Sequence, residues 1–292
     1  MANKFLEYRL DAIQVLPSKR EAAATVSNPG EVAQFFRFTR GQLVAISEPG
    51  IDVQLEVADS WLVDDGRVRN LKAHLERFSK WVSAVDESAT GQLEDFFEAV
   101  RAALPREGRW FPRIELHAEA PIAERLHFRL REAPQLASSV LFWAYQDSDT
   151  RRNPLVKGPD LSFGMQLRRH AKVHGADEAV FLTDSGFINE GALSSIVWWR
   201  DDVLCSTPNE VAWLPSITRD EVFGLARDRG FETRLELATP QSLAGLEVWL
   251  LSSLQGVRPA TGILVGDSLI EFAAPSRAES FQKRLRLLEM VV

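Results

Sequence analysis

Only one cysteine, Cys205, is present in the 292 residues, so an intrachain disulfide is excluded. That scarcity fits a reducing cytoplasm. No apolar run approaches the length of a membrane span. Met1-Ala2-Asn3-Lys4-Phe5-Leu6-Glu7-Tyr8-Arg9 has neither the apolar centre nor the small-residue cleavage site of a secretory signal. Positive charge is in the minority: 34 Lys and Arg against 41 Asp and Glu leave a net charge of −7. Non-specific nucleic-acid binding, which needs a basic face, is therefore not expected. The chain also lacks a Gly-x-Gly-x-x-Gly fingerprint, a Walker-type loop and a Gly-x-Ser-x-Gly elbow. His170 and His174 lie four apart on an expected helix, but residue 171 is alanine rather than glutamate and no third ligand is evident. We therefore expect no metal site there, only two solvated histidines.

What is present is ordinary globular composition, 45% hydrophobic and 26% charged. The length suffices for a sizeable core and two subdomains. Eight tryptophans are expected to fill core and interface. Residues 17–33 are polar and alanine-rich and read as an extension with little core of its own. Phe36–Phe38 and Leu43–Ile46 suggest a hairpin. A second strand pair is expected over 53–70, turning at Asp64-Asp65-Gly66. Leu71, Leu75, Phe78 and Val82 recur at helical spacing, flanked by His74 and Arg77. A second helix carries Leu93, Phe96, Phe97, Val100 and Leu104 and stops at Pro105. Strands are expected at Trp110–Glu119, Leu126–Glu132 and Val140–Tyr145. A domain boundary at Ala133-Pro134-Gln135 would divide a small domain, 1–134, from a larger one, 135–292.

Beyond that boundary a helix is expected from Asp160 to His174, stopped by Gly175. Hairpins follow at 179–189 and 196–205. Thr218-Arg219-Asp220-Glu221 and Ser276-Arg277-Ala278-Glu279 read as capping boxes that open two helices. Val248–Leu251 is a short apolar strand. Strands and helices mix without strict alternation, which favours an α+β architecture over a doubly wound sheet.

Lys157 sits in Asn153-Pro154-Leu155-Val156-Lys157-Gly158-Pro159, a loop constrained by two prolines. Taken singly, it reads as a solvated charge. Glu190 could be a hairpin-end carboxylate, Arg77 could pair with Glu76 or a nearby aspartate, and Leu214 and Ile217 could be core. Their order and spacing together point elsewhere. His74-Leu75-Glu76-Arg77-Phe78, Lys157, Gly175-Ala176-Asp177-Glu178-Ala179, Glu190, Thr207-Pro208 and Leu214-Pro215-Ser216-Ile217-Thr218-Arg219 occur in one series, with Glu190 33 residues after Lys157. The chain thereby resembles the fold-type IV pyridoxal phosphate enzymes: branched-chain aminotransferases, D-amino-acid aminotransferases and aminodeoxychorismate lyases. The resemblance runs from about Phe36 to Val265.

The resemblance implies a two-domain α+β fold with a small α/β domain and a larger pseudo-barrel domain. It implies pyridoxal 5'-phosphate as cofactor, Lys157 as Schiff-base former and general acid/base, and Glu190 as partner of the pyridine nitrogen. Arg77, the Ile217 and Thr218 amides and Ser253 would meet the phosphate. Leu214 would pack on the ring, and Leu254 would face substrate. It further implies a homodimer with the pocket near the subunit interface and a small amino-acid-like substrate. The independent reading agrees at Ile217-Thr218, because a helix start favours an anion.

Departures are specific. Ser162 stands where many aminotransferases of this type carry a tyrosine near the cofactor phenolate. Ser195 replaces an asparagine and Ser216 a glycine. Val57-Ala58-Asp59-Ser60-Trp61-Leu62-Val63 replaces a glycine-rich Phe-Glu-x-x-Arg segment that shapes the substrate pocket. The expected activity is amino transfer from a small amino acid to an α-keto acid. The lyase branch, which lacks that tyrosine, is the alternative β-elimination reading. A noncatalytic binding protein on the same fold is a second alternative, motivated by the three serines and opposed by the intact lysine and glutamate.

Overall fold

A computed structural model describes residues 33–48 and 54–292. The expected extension at 17–33 lies, apart from its last residue, outside the described residues. All described residues belong to one compact unit, Val32–Val292. The helices are α1 (Leu71–Val85), α2 (Leu93–Ala103), α3 (Leu161–Val173), α4 (Ile217–Asp228) and α5 (Ala278–Leu287). Among the described residues the strands form sheets of five, nine and four.

The five-stranded sheet runs Gln42–Ile46, Gln34–Thr39, Leu126–Leu130, Arg113–Leu116, Val57–Ser60, each antiparallel to its neighbour. Strand alternation sorts its side chains. Phe38, Ile114, Leu116, Leu126, Phe128 and Leu130 turn into a core with Leu75, Phe78 and Val82 of α1 and Phe96, Phe97 and Val100 of α2. Those helical residues are the periodic stripes expected from the sequence. Asn70 caps α1 in a left-handed conformation, φ 49°, its side chain accepting from the Ala73 amide.

The nine-stranded sheet curves as a half-barrel and mixes parallel with antiparallel pairs. Val140–Ala144 lies parallel to both Glu178–Leu182 and Gly256–Val265. The hairpins around Gly186 and around Asp201-Asp202 form as expected. On one side Val140, Phe142, Ile196, Trp198, Val248 and Leu250 pack together. On another, Val197, Trp199, Trp249 and Leu251 meet Val222 and Ala226 of α4 and Phe281 of α5. The mixed α+β architecture expected from the sequence is thus present.

Several local expectations change. The strand pair over 53–70, whose residue 53 is not described, is two separate pieces. Val57–Ser60 pairs with Arg113–Leu116, and only Val63–Asp64 and Arg67–Arg69 form the hairpin at Asp65-Gly66. Both turn residues there have positive φ, 46° and 70°, the geometry that favours Asp-Gly. Trp110–Glu119 likewise splits, Arg109–Trp110 joining the four-stranded sheet and Arg113–Leu116 the five-stranded one. Neither capping box caps its helix. Ser216 caps α4 by accepting from the Arg219 amide, while Thr218 and Glu221 turn to Arg69. Ser276 donates to Glu247, and Glu279 pairs with Lys283. Arg69 and Lys283 engage Thr218, Glu221 and Glu279, and the Glu247 carboxylate engages Ser276, so none of these side chains closes its box.

Candidate active site

The loop before α3 is pinned at several points. The Arg152 and Asn153 amides donate to the two oxygens of Asp160, and the Val156 amide donates to the Asn153 carbonyl. The Lys157 carbonyl accepts from the Ala58 amide at 2.6 Å, so the loop lies on strand Val57–Ser60. Gly158 permits that approach: a Cβ there would stand 2.5 Å from the Glu56 carbonyl oxygen. Lys157 is half-buried. Burial, reinforced by the Arg77 guanidinium and partly offset by Asp59, lowers its amine to about 8.

Lys157, Glu190, Leu214 and Arg151 line one cavity with Ala192 and Ser194. Glu190 lies on the buried strand Ile188–Gly191. Thr207 fastens the strand's other side, its hydroxyl meeting the Ile188 and Asn189 carbonyl oxygens. Asn189 donates to the Ala212 carbonyl, which draws the loop carrying Leu214 against the strand. The Leu214 amide then donates to Glu190, 3.1 Å to Oε1 and 3.3 Å to Oε2. Burial pushes the Glu190 carboxyl up to about 7, opposed by Arg151 and the Leu214 amide. Glu178, from the Gly-Ala-Asp-Glu-Ala run, lies behind Ser194 at 3.4 Å and is also raised to about 7 by burial.

A second group forms where α1 meets α4. Arg77 donates through Nε and Nη2 to both oxygens of Asp59, at 2.8 and 2.9 Å. Its Nη1 donates to the Pro215 carbonyl at 2.8 Å, two residues before Ile217. A guanidinium has five N–H groups, so two remain beyond these three bonds. His74 shares Asp59, its Nδ1 lying 2.7 Å from Oδ1. A carboxylate accepts only, so Nδ1 carries the hydrogen. Burial alone would raise Asp59, but Arg77 and His74 hold it well below the usual carboxylate range. Burial lowers His74 despite Asp59. Arg69 fastens α4 from the other side, Nη2 to the Thr218 hydroxyl at 2.9 Å and Nε to Glu221 at 2.7 Å. The Ile217 and Thr218 amides occupy the first turn, where no intrahelical acceptor exists.

The structure therefore joins Lys157, Glu190 and Leu214 in one cavity, and Arg77, Ile217 and Thr218 in one cluster. Ser253 and Leu254 sit half-buried in the turn between Val248–Ser252 and Gly256–Val265 and hydrogen-bond none of the others. Ser162 is exposed on the first turn of α3. His174 stacks on Trp143 at 4.6 Å. Among the described residues no group of three or more His, Cys, Asp or Glu is arranged to hold a metal, and no helix is long and apolar enough to cross a membrane. Sequence reading missed Asp59 and Arg151. The signal for Asp59 was a lone carboxylate inside the apolar run Val57–Val63; Arg151 offered none.

The fold is that of the fold-type IV enzymes. A Mycobacterium tuberculosis protein described as a hypothetical aminotransferase, in its PLP-bound form, superposes with a TM-score of 0.72 at 18% identity, covering 89% of this chain and 99% of that one. A Legionella pneumophila protein provisionally named 4-amino-4-deoxychorismate lyase gives 0.68 at 19% identity, covering 83% and 96%. The sequence carries the assignment further: residues 56–263 match the amino-transferase class IV family model, and the chain belongs to that family. It is 34% identical over 111 residues to the branched-chain-amino-acid aminotransferase of Escherichia coli K12, 37% of this chain and 35% of that protein. The match thus spans about a third of that curated relative's length.

Proposed function

We propose that the chain is a pyridoxal 5'-phosphate-dependent aminotransferase that passes the amino group of a small amino acid to an α-keto acid. The observation that carries this reading is the shared cavity of Lys157 and Glu190, an amine of lowered basicity and a buried carboxylate on its wall. The donor set fits the cofactor: an amine for its aldehyde, a carboxylate for its ring nitrogen, and a helix start beside an arginine for its phosphate. When bound, the cofactor supplies an electron sink that acidifies the substrate Cα–H.

The chain's own residues do the rest. Lys157 Nζ holds the cofactor and moves the Cα proton, and its lowered basicity raises the fraction of free amine near neutral pH. Glu190 would partner the ring nitrogen, and Leu214 would pack on the ring. Arg77 and the Ile217 and Thr218 amides bind the phosphate, Asp59 fixing the guanidinium's plane. Ser253 completes the phosphate contacts in this reading, and Leu254 faces substrate. We place the enzyme in the cytoplasm as a homodimer, with residues 1–134 and 135–292 as its small and large domains.

Ser162 favours a second reading, β-elimination of the aminodeoxychorismate lyase type. Both reactions begin with loss of the same proton. Incubation with pyridoxal phosphate should give a yellow protein whose colour borohydride fixes to Lys157 and Lys157→Ala abolishes. A colourless protein without cofactor affinity overturns the proposal. α-Keto-acid-dependent amino transfer, against pyruvate release from aminodeoxychorismate, then separates the two reactions.

A further inference from the structure

Arg151 belongs to none of the motifs above, yet it is built into the cavity wall. Its side chain is only 7% exposed. Nη1 lies 2.5 Å from Glu190 Oε1, and Nη2 lies 2.7 Å from Asp149 Oδ2, with Nε 3.0 Å from each Asp149 oxygen. The guanidinium also stands 4.1 Å over the Phe181 ring. A buried arginine is tolerated only when paired, and here two carboxylates divide it.

We propose that Arg151 is a positioning residue acting through Glu190: by holding Oε1 it makes the carboxylate a weaker base, so the proton shared with the pyridine nitrogen of bound pyridoxal phosphate stays on the nitrogen. This rests on the cofactor reading above. One proton has two possible seats, and the stronger base takes it. A cation in hydrogen-bond contact favours the ionised carboxylate. Oε2 keeps only the 3.3 Å contact with the Leu214 amide, so it is the oxygen left for the ring. The charged groups facing Glu190 are Arg151 and, beyond it, Asp149, with Lys157 and Asp160 on the cavity wall. Asp149 works against Arg151, and burial drives Glu190 upward. Without the arginine the carboxyl climbs further and takes the proton itself.

Two readouts besides turnover test this. The first is a carboxyl-carbon NMR titration of the cofactor-free chain, with the Glu190 signal assigned by its loss in E190Q. Arg151→Gln keeps a donor but removes the charge, and should raise the Glu190 midpoint by about one to three units. Arg151→Lys should restore it. Asp149→Asn leaves the arginine in place and should move the midpoint the other way, so the proposal stays testable should Arg151→Gln fail to fold. The second readout is the nitrogen resonance of ring-labelled pyridoxal phosphate. It should report a protonated ring in the wild type and R151K, and a shift toward the unprotonated value in R151Q. A midpoint or ring signal that stays put in R151Q overturns the inference, as does an unmoved midpoint in D149N. Failure of the cofactor reading looks different: borohydride then fixes nothing to wild-type Lys157, which also overturns the ring-nitrogen half of this proposal.

Discussion

Asp59 and Glu190 are both buried carboxylates held by arginine, yet their surroundings drive them in opposite directions. Asp59 receives two bonds from Arg77, one from His74 and one from the Ser60 amide. Glu190 receives one arm of Arg151, the rest of which serves Asp149. Burial raises both carboxyls, but only at Asp59 do the partners outweigh it. An arginine that serves a single carboxylate, and bidentately, fixes its charge, whereas one split between two carboxylates leaves the charge adjustable near neutral pH. That difference suits the proposed roles. The phosphate end needs a rigid cation, and the ring end needs a carboxylate that can negotiate over a proton.

The largest effect should follow from breaking the fixed end. Asp59→Asn leaves a buried guanidinium without its counter-charge, and should cost about 3–5 kcal/mol in urea unfolding at pH 7. Because the folded value is depressed, Asp59's contribution is complete above the unfolded value of 3.8 and is lost as pH falls below it. The gap between mutant and wild type should therefore narrow only in acid. A gap that stays constant into strong acid, or a cost under 1 kcal/mol, would show that Asp59 does not carry that end.

The adjustable end should show the opposite slope. Glu190 is raised from 4.5 to about 7, so the folded chain keeps a proton that the unfolded chain releases between those values. The wild type should lose stability relative to Glu190→Gln as pH rises through that window, by about 1.4 kcal/mol for each unit of displacement. Melting curves at pH 5 and pH 8 read this directly. Parallel pH dependence in D59N and E190Q would erase the contrast between the two ends.

The contrast also shows what a sequence exposes. Lys157, Glu190 and Leu214 line one cavity, each on a local element whose loop or strand signal the sequence carries. The partners that set their chemistry come from elsewhere in the chain. Arg77 meets Asp59 from 18 residues away and Pro215 from 138, separations that no periodicity encodes. Arg151 meets Glu190 across 39 residues through a loop without a pattern. The fold class was legible from its mixed elements. The division of 110–119 between two sheets was not, since an apolar run does not say which neighbour it will pair with. The capping boxes misled because distant side chains claimed their members: Arg69 took Thr218 and Glu221, and Glu247 took Ser276.

That misreading yields the smallest prediction and the finest test of the phosphate end. The start of α4 is held by its cap, Ser216 accepting from the Arg219 amide at 3.2 Å, and by cross-links from Arg69 and Arg77. Losing a serine cap ordinarily costs about 0.5–2 kcal/mol. Here the arginines hold the first turn independently, so Ser216→Ala should fall at the low end, about 0.5–1 kcal/mol by urea unfolding. Ser216→Gly should cost less still. A loss from S216A beyond about 2 kcal/mol would mean that the cap, not the arginines, fixes the helix start. The rigidity assigned to the Asp59–Arg77 end would then belong to α4 itself.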